Sequence, residues 1–161
     1  KLDLEYFKVI SDWYHFAILE LTYLKGFQND HAWMAKKLGI NQQTVSEAIS
    51  RLKSLGHLLE KKGKLTDTFQ YLQTSDDIPS QSLKLYHSQL MHKALKALYR
   101  QGVDNREVAS NIFSFSKDQL PQFKKHIRKF KQDMDFKAGQ MKNKDSVYCL
   151  SVQFFELTQE D

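Results

Sequence analysis

The pattern of apolar and polar positions in the first 24 residues predicts a strand followed by a helix. Residues 6–10 fit a short strand. Ser11 is then suited to cap a helix that runs to about Leu24, because apolar side chains cover most of the circumference of that segment. A helix that is apolar on most sides is expected to be buried, so this helix is predicted to lie in a core.

Two shorter helices and a hairpin are predicted next. The apolar periodicity indicates helices over residues 30–38 and 42–55, with Gly39 between them. Residues 57–60 and 64–68 then have the composition of two strands. They flank Lys61-Lys62-Gly63, which is typical of a tight hairpin turn.

The second half of the chain predicts helices alternating with strands. The polar stretch 74–79 marks a boundary, so we expect one domain over residues 1–73, with its core at 11–68, and a second over 74–161. Pro79 opens a helix that continues to about Arg100, and residues 108–115 have the composition of a strand.

Another helix and a final strand complete the second domain. Ser116 and Gln119 have the spacing of a capping box. The helix behind them carries apolar residues three and four positions apart. The final strand is predicted over residues 147–157, and Cys149 is expected to be buried in it.

These elements predict an α+β protein, in which a winged helix-turn-helix precedes a small helix–strand–helix–strand α/β domain. The long helical connection between the two strands favours a right-handed parallel crossover. Two strands alone make a poor sheet. A further strand is therefore expected, either from residues 6–10 or from a second copy of the chain.

The net charge of +5 is concentrated in two basic blocks. Residues 30–64 sum to +4 and residues 106–144 sum to +6. Such blocks are the electrostatic footprint of a polyanion-binding protein, although lysines on a helix also serve as a simple solvated face. In the second block, the candidate anion-binding residues are Lys124, Lys125, Arg128 and Lys131.

Residues 35–55 satisfy the steric demands of a helix-turn-helix. Two closely crossing helices need a small side chain at their crossing, which Ala35 supplies, and a turn residue that accepts positive φ, which Gly39 supplies. The second helix needs an apolar stripe facing inward. That stripe consists of Ile40, Val45, Ala48, Ile49, Leu52 and Leu55.

The run from Ala35 to Ser46 and its continuation from Ile49 to Leu59 resemble the winged-helix regulators of the multiple-antibiotic-resistance type. The resemblance implies that the second helix enters the major groove of DNA and that the hairpin, or wing, contacts the backbone or minor groove. The implied base-facing residues are Gln42, Gln43, Thr44, Ser46, Glu47 and Ser50. The implied phosphate contacts are Lys36, Lys37, Arg51, Lys53, Lys61, Lys62 and Lys64. Glu47 departs from the pattern, because a carboxylate facing phosphate is repulsive.

The whole chain also resembles a large paralogous family of bacterial proteins with a domain of unknown function, expanded in predatory and fibre-degrading bacteria. Five stretches carry this resemblance: residues 11–18, 77–80, 86–87, 120–121 and 147–150. Members of that family usually carry a further helix-turn-helix domain upstream. Since the chain begins at Lys1, we expect it to be the C-terminal fragment of a longer protein, whose upstream domain is another candidate for reading DNA.

Neither catalysis nor a bound metal is expected. The six histidines are scattered without metal-ligand spacing, the single cysteine has no partner, and no glycine-rich phosphate loop is present. No cofactor is therefore predicted. The absence of a long apolar run or a signal-like start favours a cytoplasmic protein without membrane contact.

The sequence therefore predicts a transcriptional regulator whose winged helix contacts duplex DNA. Its second half is expected to mediate homodimer formation or to sense a ligand, for which a small anionic effector is a candidate. A homodimer would place two recognition helices about 34 Å apart on a palindromic site. The alternative is a protein-interaction or ligand-sensing module that does not contact DNA.

Overall fold

The computed structural model describes residues 2–69 and 80–160, and this part of the chain is mixed α/β. The described residues form six α-helices, two 3-10 turns and one antiparallel two-stranded sheet. The α-helices are α1 (Leu2–Ser11), α2 (Tyr14–Leu21), α3 (His31–Leu38), α4 (Gln42–Ser54), α5 (Gln81–Arg100) and α6 (Leu120–Gly139), and the strands are β1 (Leu58–Lys61) and β2 (Lys64–Asp67).

The chain divides into two compact units. The N-terminal unit comprises residues 1–93 and 143–147, and the C-terminal unit comprises residues 94–142 and 148–161. The division falls within α5, whereas the predicted boundary between residues 73 and 74 lies outside the described residues. None of the helices in the described part of the chain is both long and apolar enough to cross a membrane.

Helix α4 forms the centre of the N-terminal unit. Val45, Ala48 and Leu52 of α4 are fully buried, and Ile18 of α2 and Met34 of α3 are equally inaccessible. The spacing of three and four residues places the α4 side chains on one face, which therefore contacts the neighbouring helices. The strands close the same core through the buried side chains of Leu58 and Leu65.

Local side-chain signals determine where α3 and α4 begin and end. The carboxylate of Asp30 accepts hydrogen bonds from the backbone N–H groups of Ala32 and Trp33, and the side chain of Asn41 accepts one from Thr44 at 2.7 Å. Between the helices, Gly39 adopts the left-handed conformation with φ 66°. The predictions of these two helices and their glycine turn are confirmed.

The predicted hairpin is also confirmed. Leu58 pairs with Asp67 at one end of the ladder, and Lys61 pairs with Lys64 at the other. Lys62 and Gly63 form the two-residue turn, with φ of 51° and 73°. Positive φ at both positions is the requirement of a type I′ turn, whose twist matches that of the strands.

The predictions for residues 1–24 were partly wrong. The segment predicted as a strand, residues 6–10, lies within α1, where Val9 is buried and Tyr6 and Phe7 are exposed. Ser11 ends α1 and donates to the carbonyl of Lys8, so it does not cap the following helix. Since a five-residue apolar run fits a strand or one face of a helix, packing against the core decided between them.

The first half of α5 packs in the N-terminal unit, against the corner between α1 and α2. The amide of Gln89 accepts a hydrogen bond from the backbone N–H of Trp13 and donates one to Asp12. The ammonium group of Lys93 lies 3.5 Å from the centre of the Trp13 ring, and Phe16 contacts Tyr86. The predicted helix is confirmed from Gln81 to Arg100, while Pro79 lies outside the described residues.

The C-terminal unit contains no strand among its described residues, so the predicted strands and parallel crossover were wrong. Residues 106–116 and 144–157 have neither helical nor ladder hydrogen bonds, and Cys149 is exposed instead of buried. Ser116 donates to the carboxylate of Asp118 and makes no capping bond. A strand exists only where a second strand accepts its hydrogen bonds, and these segments have no such neighbour.

Replacing Gly39 tests whether its left-handed backbone controls the α3–α4 turn. A Cβ at this position would meet no atom within 4 Å, so the cost of Gly39→Ala comes from the positive φ alone. We expect a loss of about 1 kcal/mol in the free energy of unfolding. Gly39→Asn should cost less, because asparagine tolerates this region. Urea unfolding followed by the fluorescence of Trp13 and Trp33 measures both, and equal losses would contradict the explanation.

Candidate functional site

The outward face of α4 is polar and accessible. Gln42, Gln43, Glu47 and Ser50 are exposed, and Thr44 and Ser46 are partly exposed. None of the six predicted base-facing residues is therefore buried. The helix presents hydrogen-bonding groups on one side while its other side holds the unit together.

Two of these residues are already paired with each other. The amide nitrogen of Gln43 donates a hydrogen bond of 2.7 Å to a carboxylate oxygen of Glu47, one helical turn later. Residues four apart face each other on a helix, so the pair is a local one. Glu47 thus positions the Gln43 side chain along the helix axis.

Lysine side chains lie on the two elements next to α4 in the chain. Lys36 and Lys37 occupy the last turn of α3, and both are exposed; the ammonium group of Lys37 lies 5.5 Å from the centre of the Trp33 ring. Lys61, Lys62 and Lys64 are exposed on the hairpin. All five lysines are accessible at the surface of the N-terminal unit.

Lys53 has a different partner. Its ammonium group forms an ion pair with Glu60 on β1, and Asn29 donates to the same carboxyl group and to the carbonyl of Gly63. The hydrogen bonds from Lys53 and Asn29 lower the pKa of Glu60. These contacts tie the hairpin to the end of α4 and to the loop before α3.

Arg51, which was predicted to contact phosphate, points into the protein. Its Nε lies 2.6 Å from a carboxylate oxygen of Glu5, and its Nη1 lies 2.9 Å from Nε2 of His15. Only 10% of its side chain is exposed. We call Arg51, Glu5, His15 and Asp12 the Arg51 cluster. It joins α4 to α1 and α2, so the guanidinium group stabilises the fold and is withdrawn from the outer surface.

The hydrogen bonds of the cluster define the protonation state of His15. An arginine side chain can only donate, so Nε2 of His15 must accept from Arg51. Nδ1 then carries the proton and donates to the carbonyl of Asp12 at 3.0 Å. Burial, together with the nearby charge of Arg51, lowers the pKa of His15 to about 4. The sequence analysis expected no catalytic role for any histidine, and it did not predict the hydrogen bond that His15 accepts from Arg51.

His57 is a second buried histidine, and its side chain makes no hydrogen bond to another described residue. It is the residue before β1, and neither ring nitrogen has a hydrogen-bond partner there. The edge of its ring contacts Tyr6 at a centroid distance of 6.3 Å. Among the described residues, His57 therefore contributes to the core through ring packing and not through side-chain hydrogen bonds.

The second basic block lies on α6, in the C-terminal unit. Lys125 is exposed, whereas Lys124, Arg128 and Lys131 are partly buried and each engages in a further interaction. These residues are therefore not a set of free cations.

Across the two described ranges of the chain, no three histidine, cysteine or acidic side chains converge as metal ligands.

Comparison with known proteins places the chain in a family. Residues 1–157 match the family described as a domain of unknown function, DUF4423. Because this match covers almost the whole chain, the protein belongs to that family. No curated protein and no solved structure gave a significant match.

The lowered pKa of His15 predicts a pH dependence of stability. The unfolded chain binds a proton at His15 near pH 6.5, whereas the folded unit binds it only near pH 4. The unfolded state therefore holds more protons between these values, and the contribution of His15 is lost as the pH falls. We expect the free energy of unfolding to decrease there by up to about 1.4 kcal/mol per pH unit.

The controls for this prediction are two single substitutions. His15→Gln keeps an acceptor for Arg51 but cannot titrate, so the slope between pH 6.5 and 4 should become shallower by that amount. His126→Gln removes an exposed histidine and should leave the slope unchanged. Urea unfolding followed by tryptophan fluorescence gives the slopes. Identical slopes for His15→Gln and the unmodified protein would contradict the assignment.

Proposed function

We propose that α3, α4 and the hairpin form a winged helix-turn-helix that binds duplex DNA, and that the protein acts as a transcriptional regulator in the bacterial cytoplasm. One observation carries the proposal: α4 exposes a polar face while α3 and the hairpin, on either side of it in the chain, expose lysines. The resemblance of residues 35–59 to regulators of the multiple-antibiotic-resistance type supports the same assignment.

The dimensions of α4 suit the major groove. A helix of 13 residues is about 20 Å long and, with its side chains, about 10–12 Å wide. The major groove is about 12 Å wide, so such a helix can enter it. Gln42 and Gln43 lie nearest the N-terminus of α4 and would then reach the base edges, because the N-terminal residues of the second helix contact the bases in helix-turn-helix proteins.

The exposed side chains on α4 favour recognition of adenine. Glutamine can pair with N6 and N7 of adenine through two hydrogen bonds, and Ser46 and Ser50 can contact bases or phosphates. The hydrogen bond between Gln43 and Glu47 limits the rotamers of the glutamine. We infer that Glu47 acts by orienting Gln43, and that its charge weakens binding to the backbone.

The phosphate contacts come from five lysines instead of the seven basic residues suggested by sequence. Lys36, Lys37, Lys61, Lys62 and Lys64 are exposed on α3 and the hairpin. Lys53 is held by Glu60, and Arg51 by Glu5 and His15. Recruiting Arg51 to DNA would break a partly buried ion pair and leave Glu5 without it, which is costly, so we assign Arg51 no DNA contact.

The hairpin lysines provide the main test. We expect the combined substitution of Lys61, Lys62 and Lys64 by glutamine to weaken binding to duplex DNA and to reduce the slope of log affinity against log salt by about 2 to 3, because each lost phosphate contact releases one counterion fewer. Fluorescence anisotropy with random-sequence duplexes at several salt concentrations measures both.

A matched control removes the same charge elsewhere. Lys84, Lys96 and Lys142 are exposed and lie outside α3, α4 and the hairpin. Their combined replacement by glutamine should change the salt slope much less. Equal effects of the two triple variants would indicate general attraction to a basic protein, and undetectable binding at low salt would support the protein-interaction alternative.

Glu47 gives a prediction of opposite sign. Removing one carboxylate near a phosphate relieves repulsion of about 1 kcal/mol, so Glu47→Gln should tighten binding to random-sequence DNA about fivefold at low salt. It should also relax sequence preference, because Gln43 loses its charged partner. Selection of bound sequences from random duplexes, compared between the two proteins, measures the second effect. A sharper preference in the variant would contradict the orienting role.

A further inference from the structure

The C-terminal unit has no core of its own among its described residues. None of the side chains in residues 94–142 and 148–160 is buried. The exposed large apolar residues of this unit are Leu95, Leu98, Tyr99, Val103, Val108, Ile112, Phe113, Leu120, Phe123, Phe130, Met134, Phe136, Met141, Tyr148, Leu150, Val152, Phe154, Phe155 and Leu157. These 19 side chains form far more apolar surface than the isolated exposed residues that are usual on a monomer.

Four phenylalanine rings pack against one another in the C-terminal unit but stay partly exposed. The rings of Phe113, Phe115, Phe123 and Phe154 lie 4.8–6.4 Å from one another, which is the normal spacing of packed aromatic side chains. Phe113, Phe123 and Phe154 are nevertheless 37–52% exposed. The rings therefore pack on one side and leave the other side without a protein neighbour.

Two segments outside the helices lack backbone hydrogen bonds to the rest of the described chain. Among the described residues, the structure records no backbone hydrogen bond for residues 107–115 or 148–157. Both segments are rich in aromatic and β-branched side chains, which suit strands. An extended apolar segment with free N–H and C=O groups is ready to pair with another strand.

We propose that a second copy of the chain covers this surface, and that residues 107–115 and 148–157 pair as strands with the C-terminal unit of that copy. The resulting homodimer completes one shared core from two incomplete halves. The inference does not depend on DNA binding, because it rests on the C-terminal unit alone.

The amount of exposed apolar surface is sufficient for a stable dimer. A large apolar or aromatic side chain that is about half exposed offers roughly 100 Å², so the 19 side chains offer about 1,900 Å² per copy in total. Because neighbouring residues of a strand point to opposite sides, one face holds about half of this area, and two copies would together bury about 1,900 Å². Stable interfaces bury about 1,200–2,000 Å².

The oligomeric state of the complete chain is the first test. Light scattering coupled to gel filtration should give about 38 kDa, which is twice the 18.9 kDa of one chain. The value should hold from 1 to 100 µM. A monomer at 100 µM would overturn the proposal, whether the apolar surface is then covered by the chain itself or by a different protein.

Matched substitutions locate the interface. Phe113 is 52% exposed and its ring belongs to the phenylalanine cluster, so Phe113→Lys would place a charge inside the proposed core. We expect it to reduce the dimer fraction at 10 µM at least tenfold. Ser114→Lys adds the same charge on the opposite side of the segment, because neighbouring residues of a strand point to opposite faces, and should preserve the dimer. A fully dimeric Phe113→Lys protein would overturn the proposed interface.

One measurement on the unmodified chain does not depend on a variant that folds. Amide hydrogens in residues 107–115 and 148–157 should exchange at least 100-fold more slowly than in an unfolded peptide. Rapid exchange throughout both segments of a dimer would overturn the strand pairing.

Discussion

The burial of one face of α4 is the constraint on which the N-terminal unit depends. Val45, Ala48 and Leu52 fill its centre, and the other helices and the hairpin pack around them. The three-and-four spacing that buries these residues necessarily directs Gln43 and Glu47 outward. The polar surface of α4 is therefore rigid because its opposite face is the core, which is a favourable arrangement for recognising a second rigid surface.

The Arg51 cluster shows how this constraint selects among basic residues. Arg51 and Lys53 lie two residues apart on the same helix, yet Arg51 is inside and Lys53 is on the outer side. Glu5 and His15 hold the guanidinium group, and His15 must be neutral to accept from it. Burial of a charge requires such partners, so Arg51 contributes to the position of α4 and the lysines remain as the available cations.

The two units differ in how far they bury their apolar side chains. The N-terminal unit buries its apolar residues within one chain. Among the described residues, the C-terminal unit leaves the cluster around Phe113 and Phe154 half covered and residues 107–115 and 148–157 without backbone hydrogen bonds. A second copy supplies both missing features at once.

The sequence by itself determined the elements whose signals are local. Asp30, Gly39 and Asn41 mark the ends of α3 and α4, and Lys62-Gly63 marks the hairpin, because capping bonds and positive φ involve neighbouring residues only. Tertiary structure decided that residues 6–10 are helical and that Arg51 points inward. It also decided that residues 108–115 have no strand partner within the described chain. Those outcomes depend on which distant groups are available for burial and pairing, and a linear pattern of residues does not contain that information.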